Sequence, residues 1–107
     1  MATQISGRIP ARILRRVEGS DDYQPLLELM AERFMGVLKH PVPRSEMLRK
    51  FGLDERGCKV VAEWCDGTPE EHPIRAGDLL EIEDKRHEVL GVVDRPGCYF
   101  DLYIRDR

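Results

Sequence analysis

Hydrophobic positions do not keep a single spacing along this chain. From Leu79 onward they recur at every second residue: Leu80 and Ile82 share one face, as do Val89, Gly91 and Val93, and as do Phe100, Leu102 and Ile104. Such alternation places successive side chains on opposite faces of a strand. Tyr99, Asp101, Tyr103 and Arg105 fall on the reverse face of the last run. Asp84-Lys85 and Asp94-Arg95-Pro96-Gly97 separate the runs with turn-forming residues, so this third of the chain predicts an antiparallel meander. Lys59 to Trp64, centred on Val60-Val61-Ala62, predicts a further strand. Asp66-Gly67-Thr68-Pro69 reads as a turn after it, and Glu70-Glu71-His72-Pro73 as a polar loop.

Between Leu26 and Lys39 the pattern changes to a helical one. Leu26, Leu27, Met30, Ala31, Phe34, Val37 and Leu38 share one arc of a helical wheel, opposite Glu28, Glu32, Gly36 and Lys39. Asp21-Asp22 and Pro25 suit a helix start, and Lys39, His40 and Pro41-x-Pro43 a helix stop. A main helix over 26–39 is therefore expected. Leu29 and Met35 fall away from its apolar arc and become candidate partner contacts, together with Tyr99 and Tyr103. Ser45 to Gly52 predicts a short second helix capped by Ser45 and ended by Gly52. Its neighbour Arg44, with Arg49 and Lys50, suggests a helix-turn-helix, but the connection is proline-rich and a strand pattern follows. Residues 1–20 read as an arm or edge strand, because Pro10 cannot donate to a central ladder.

These elements sum to one α+β domain over residues 1–107: a small antiparallel β-barrel or sandwich, SH3-like, with one main helix packed on it and a short second helix. A chain of 107 residues is the usual size of a single domain. With 35% charged residues it reads as a soluble globular protein, and no apolar run approaches the roughly 20 residues needed to cross a bilayer. The start lacks the apolar segment of a secretory signal, so folding in the cytoplasm is the expectation. A net charge of −3 gives no whole-molecule attraction to nucleic acid, although Arg8, Arg12, Arg15 and Arg16 allow a local basic arm.

Catalytic chemistry finds little support. No nucleophile with an orienting base, glycine-rich phosphate loop or metal-ligand spacing is visible, so neither an enzyme nor a bound cofactor or metal is expected. Paired carboxylates are frequent, which makes a solvated charged face their ordinary explanation. Cys58, Cys65 and Cys98 match no zinc or redox spacing. Buried thiols or an intersubunit disulfide remain as their readings.

The segments Arg75-Ala76-Gly77-Asp78-Leu79-Leu80-Glu81-Ile82, Glu88-Val89-Leu90-Gly91-Val92-Val93 and Phe100-Asp101-Leu102-Tyr103-Ile104 resemble, in order and spacing, the C-terminal strands of tailed-bacteriophage head-tail connector proteins. Leu48-Arg49-Lys50-Phe51-Gly52-Leu53-Asp54 is similar to the segment that precedes the first strand in some myophage neck proteins of that group. The 26–39 stretch and the arginine-rich start have no counterpart. The resemblance implies a structural virion protein of the phage neck, assembled in the bacterial cytoplasm. It would form a ring of identical subunits between portal and tail, complete the head, retain DNA and attach the tail. Its implied partners are the neighbouring subunits, a portal or adaptor protein and tail proteins, with DNA passing unread. An acidic lumen from Glu70, Glu71, Glu81, Glu83 and Asp84 would repel the phosphate backbone. The alternative is a free-standing SH3-like adaptor that binds a protein or RNA through its sheet.

Overall fold

A computed structural model describes residues 7–33, 35–65 and 73–105. Its seven strands are β1 (Gly7–Arg16), β2 (Tyr23–Arg33), β3 (His40–Val42), β4 (Gly57–Trp64), β5 (Leu79–Ile82), β6 (Lys85–Asp94) and β7 (Tyr99–Arg105); the one helix, α1 (Arg44–Phe51), lies between β3 and β4. The fold is mostly β, and the expected α+β arrangement with a main helix is overturned.

The stretch expected to form that helix is β2. Its leucine-rich segment satisfies two periods at once. Read at every second residue, Leu27, Leu29 and Ala31 form an apolar face, and these three sit opposite Ile13, Ala11 and Ile9 of β1. Leu29 to Glu32 also pair with Trp64 to Val61 of β4. Two flanking strands therefore fix β2, and tertiary pairing overrides the helix propensity of its Leu, Met and Glu residues. The Pro41-x-Pro43 segment read as a helix stop carries the edge strand β3, paired with β4 through His40–Val42.

Strand β1 lies inside the sheet, between β2 and β5, and is no edge. Pro10 is accommodated because the β5 ladder begins one residue later, at Ala11. Pro25 sits beside an irregularity where the β1–β2 register skips Leu26, a place where a missing donor is tolerated.

All pairings are antiparallel, and the neighbours run β2-β1-β5-β6-β7-β4-β3. An additional β2–β4 pairing joins the two ends, so six strands close into a ring with β3 lying on β4 outside it. Alternate side chains fill the interior, where Ile13, Leu80, Val89, Phe100, Leu102 and Ile104 are buried and Trp64 stacks on Phe100 at 4.0 Å between ring centroids. A second apolar cluster lies outside the ring. Val42, Met47, Leu90 and Tyr103 are its buried members, with Phe51, Leu53 and Val93 packed against them. It is the seat of α1, whose buried face is Met47.

The helix begins at Pro43 rather than with a Ser45 cap: the Pro43 carbonyl accepts the Glu46 and Met47 N–H groups. It ends at Gly52, as the sequence led us to expect, in a left-handed conformation at φ 70°. Among the described residues no helix is long and apolar enough to cross a membrane.

Candidate functional site

The closed sheet has a filled interior, so its chemistry lies on the outer wall and at the turns. Three surface clefts illustrate this. One of about 320 Å³ lies among Arg12, Glu28, Cys65, Glu81 and the Glu83–Asp84 turn. A second, of about 380 Å³, is bounded by Glu32, His40, Lys59, Val61 and Arg95 on the outside of β4. The third, about 480 Å³, is lined by Arg86, His87, Glu88 and Arg105. Ligand pockets are usually apolar with a few polar groups aimed inward. These are charged surfaces.

Much of that charge is paired within the chain. Asp78, buried at 5% exposure, is the hub of the turn before β5. It accepts two hydrogen bonds from Arg15, Nε at 3.0 Å and Nη2 at 2.8 Å, and another from the Arg75 backbone N–H at 2.9 Å. Arg15 also donates to the Pro73 carbonyl at 2.6 Å, which ties the whole turn to β1. The hydrogen bond to Asp78 holds the Arg15 guanidinium even more firmly protonated than usual.

A second row crosses three strands. Arg12, Glu81 and Arg86 stand opposite one another on β1, β5 and β6, with Glu81 accepting from Arg12 at 2.6 Å and from Arg86 at 3.1 Å. The Arg12 hydrogen bond, then that of Arg86, pushes the Glu81 carboxyl below its ordinary range. Two residues further along β6, Glu88 accepts from Arg105 of β7 at both oxygens, at 3.1 and 3.2 Å, and Arg105 also donates to Glu55. Arg95 donates to buried Asp101 at 2.9 Å. Burial, followed by the charges of Asp101 and Glu46, raises the Tyr103 phenol above its usual value.

Several sequence candidates change character in this setting. Leu29 is 1% exposed and belongs to the core, so it has no surface to offer a partner. Tyr103 is 2% exposed because α1 covers it, with Phe51 edge-on at 4.9 Å. Tyr99 is half-buried, and Met35 stands exposed in the turn after β2. Glu70 and Glu71 lie outside the described residues.

Of the remaining acidic candidates, Glu81 is flanked by two arginines and Glu83 lies 3.4 Å from Arg33, while Asp84 meets no cation among the described residues. The four N-terminal arginines are no free basic arm: Arg8, Arg12, Arg15 and Arg16 pair with Glu63, Glu81, Asp78 and Asp21. Cys58 is buried, Cys98 is half-buried and donates its thiol to Glu63 at 3.5 Å, and Cys65 is exposed. Of the three cysteines, Cys65 alone is an exposed residue.

Sequence reasoning missed the contact that ties the helix to the sheet. A Cβ on Gly91 would lie 2.2 Å from the Phe51 ring, so the glycine in the middle of β6 is the floor on which Phe51 rests. It also missed the outward face of α1, where Leu48 is 52% exposed between Arg44, Arg49 and Lys50. A leucine flanked by basic residues in a short helix was the available signal. Compared with protein-family models, with curated proteins and with solved structures, the chain matches none.

Proposed function

We propose that this chain is a structural subunit of a bacteriophage neck, one of a ring of identical copies that joins the portal-bearing head to the tail and leaves a passage for DNA. The observation that carries the reading is the meeting of segments on which the connector resemblance rests. Phe51, from the Leu48-to-Asp54 segment, packs on Gly91 of the Glu88-to-Val93 segment and on Tyr103 of the last strand. Segments far apart in sequence thus act as one packing unit, and Asp78 of the remaining motif ties the turn before β5 to β1 through Arg15.

The paired surface suits a mechanical part. Arginines that are already held by carboxylates have little left for phosphates, and DNA slides past a wall that does not grip it. Within the acidic corner, Asp84 and Glu83 are better candidates for repelling DNA than Glu81, whose charge is offset on both sides.

The purified full-length protein, examined by negative-stain electron microscopy alone and after mixing with tailless, DNA-filled heads, tests the reading. Rings, or added density at the portal vertex, are expected. A chain that stays monomeric and leaves heads unchanged, yet captures an RNA or a soluble protein, would transfer the case to the adaptor reading.

A further inference from the structure

With the ring reading as premise, we infer that neighbouring subunits join by seating the acidic β1–β2 hairpin tip of one copy on the basic outer face of α1 of the next. The two surfaces are built differently and lie on opposite walls. Around the closed ring the order is β1, β2, β4, β7, β6, β5, which sets β1 across from β7 and β2 across from β6. Helix α1 covers the outer side of β6 and β7 through Leu90, Gly91 and Tyr103. The hairpin springs from the far wall.

The tip projects because its partners run out. Strand β5 pairs with β1 only as far as Leu14, and β4 pairs with β2 only from Leu29. As strand residues, Arg15–Arg16 and Tyr23–Gln24 pair only with each other among the described residues, although the Arg15 side chain reaches back to Asp78 and Pro73. The loop between them is nonetheless fixed: the Val17 N–H bonds the Asp22 carbonyl at 2.8 Å, and Arg16 Nε bonds the Ser20 carbonyl at 2.6 Å. A shaped loop loses less freedom on docking than a loose one. Glu18, Asp21 and Asp22 are exposed on it, and only Asp21 meets a cation among the described residues, Arg16 at 3.3 Å. Leu26 stands 36% exposed at the base.

The receiving face has the opposite sign. Arg49 and Arg56 are exposed and meet no carboxylate among the described residues, and Leu48, next to Arg49, is 52% exposed. Arg44 is held by Asp54 at 2.7 Å and Lys50 lies over the Tyr103 ring at 5.9 Å, so Arg49 and Arg56 carry the available positive charge. Acidic tip with a leucine at its base, unpaired arginines with a leucine beside them: charge and apolar surface match in kind. Because the two patches lie back to back, the contact is heterologous and repeats from copy to copy, as a ring requires.

Two charge reversals, at side chains that meet no partner among the described residues, test this. Arg49→Glu with Arg56→Glu spoils the helix face, and Glu18→Arg with Asp22→Arg spoils the tip; Leu48→Ser serves as a second variant of the helix face, and thermal melts verify folding. Sedimentation analysis should show the wild type self-associating, more weakly as salt rises, and each variant weakened by about tenfold or more. Mixed together, the two reversed variants restore opposite charge at both contacts between unlike copies and should co-assemble in alternation although neither assembles alone. Variants that assemble like the wild type would overturn the inference while leaving the ring reading intact. A wild type that stays monomeric both alone and on portal-bearing heads would overturn both.

Discussion

Glu83 and Asp84 both hold positive φ, at 51° and 63°, in the two-residue turn between Ile82 and Lys85. That backbone is the one for which Asn-Gly is the favoured sequence, and side chains other than glycine are strained there by roughly 1 kcal/mol each. Glu83→Asn with Asp84→Gly should therefore raise stability by about 1 kcal/mol in urea unfolding; an unchanged or lower midpoint would show that the acidic pair itself stabilises the turn. On the proposed neck reading, the stabilised variant is also the one in which to look for impaired DNA passage. Gly91 makes the opposite case. Gly91→Ala drives a methyl into the Phe51 ring and should destabilise by about 1–3 kcal/mol, as overpacking does. In a Phe51→Ala background the same change should be nearly neutral. Additive effects in that double-mutant cycle would mean that the two residues do not meet.

At the level of elements, legibility followed the uniqueness of the period. Strands β5 and β7 were readable because alternation and short turns admit one interpretation, and α1 because Gly52 marks its end; in β6 an irregularity between Val89 and Gly91 puts Val89 in the interior and Gly91 and Val93 on the outer side under α1, so the three do not share the face expected of them. Strand β2 was not, since Leu26 to Leu38 fits a helical arc and Leu27, Leu29 and Ala31 fit a strand; the long-range pairing with β1 and β4 decides, and local pattern does not contain it. The candidate site was misread for a related reason. Alternation correctly set Tyr103 on the outer side of β7, but that side is roofed by α1, and an outward residue need not be an exposed one. Strand β6 carries a pH response that no pattern revealed. Burial, aided by the nearby charges of Lys39 and Lys85, lowers the His87 pKa below its ordinary 6.5. The unfolded chain then binds the proton more readily than the folded one, so stability should hold above about pH 6.5 and fall as the pH drops through that value toward the depressed folded pKa. Melting temperatures across this range should fall less in His87→Gln; equal slopes would assign the acid response to the carboxylates instead.

For the molecule as a whole, the decisive step is closure of the sheet. The β2–β4 seam rests on four paired positions, Leu29 to Glu32 against Trp64 to Val61, whereas β4–β7 has seven. Two alanines, Ala31 and Ala62, face each other in the seam. They bury little apolar area, so packing across this four-pair seam rests on Leu29 against Trp64 at one end. Local opening should begin there. The Trp64 N–H bonds the Cys98 carbonyl on the β7 side, so by alternation the amides that cross the seam are those of Met30, Glu32, Val61 and Glu63; they are expected to exchange with solvent at lower denaturant than those of Val60 and Leu102, which face each other across β4 and β7. The single tryptophan supplies an independent reading, because Trp64 ends the seam opposite Leu29 and stacks on Phe100. Its fluorescence should shift to the red before the far-ultraviolet β signal is lost. Coincident transitions, with seam amides protected until global unfolding, would instead make the closed sheet one cooperative unit. Seam opening frees one edge each of β2 and β4, and unpaired edges recruit other chains. Tightening the seam with Ala62→Val, if the core admits the two methyl groups at a cost of about 1 kcal/mol or less, should then suppress aggregation on mild heating without altering assembly through the hairpin tip and α1, which lie away from it.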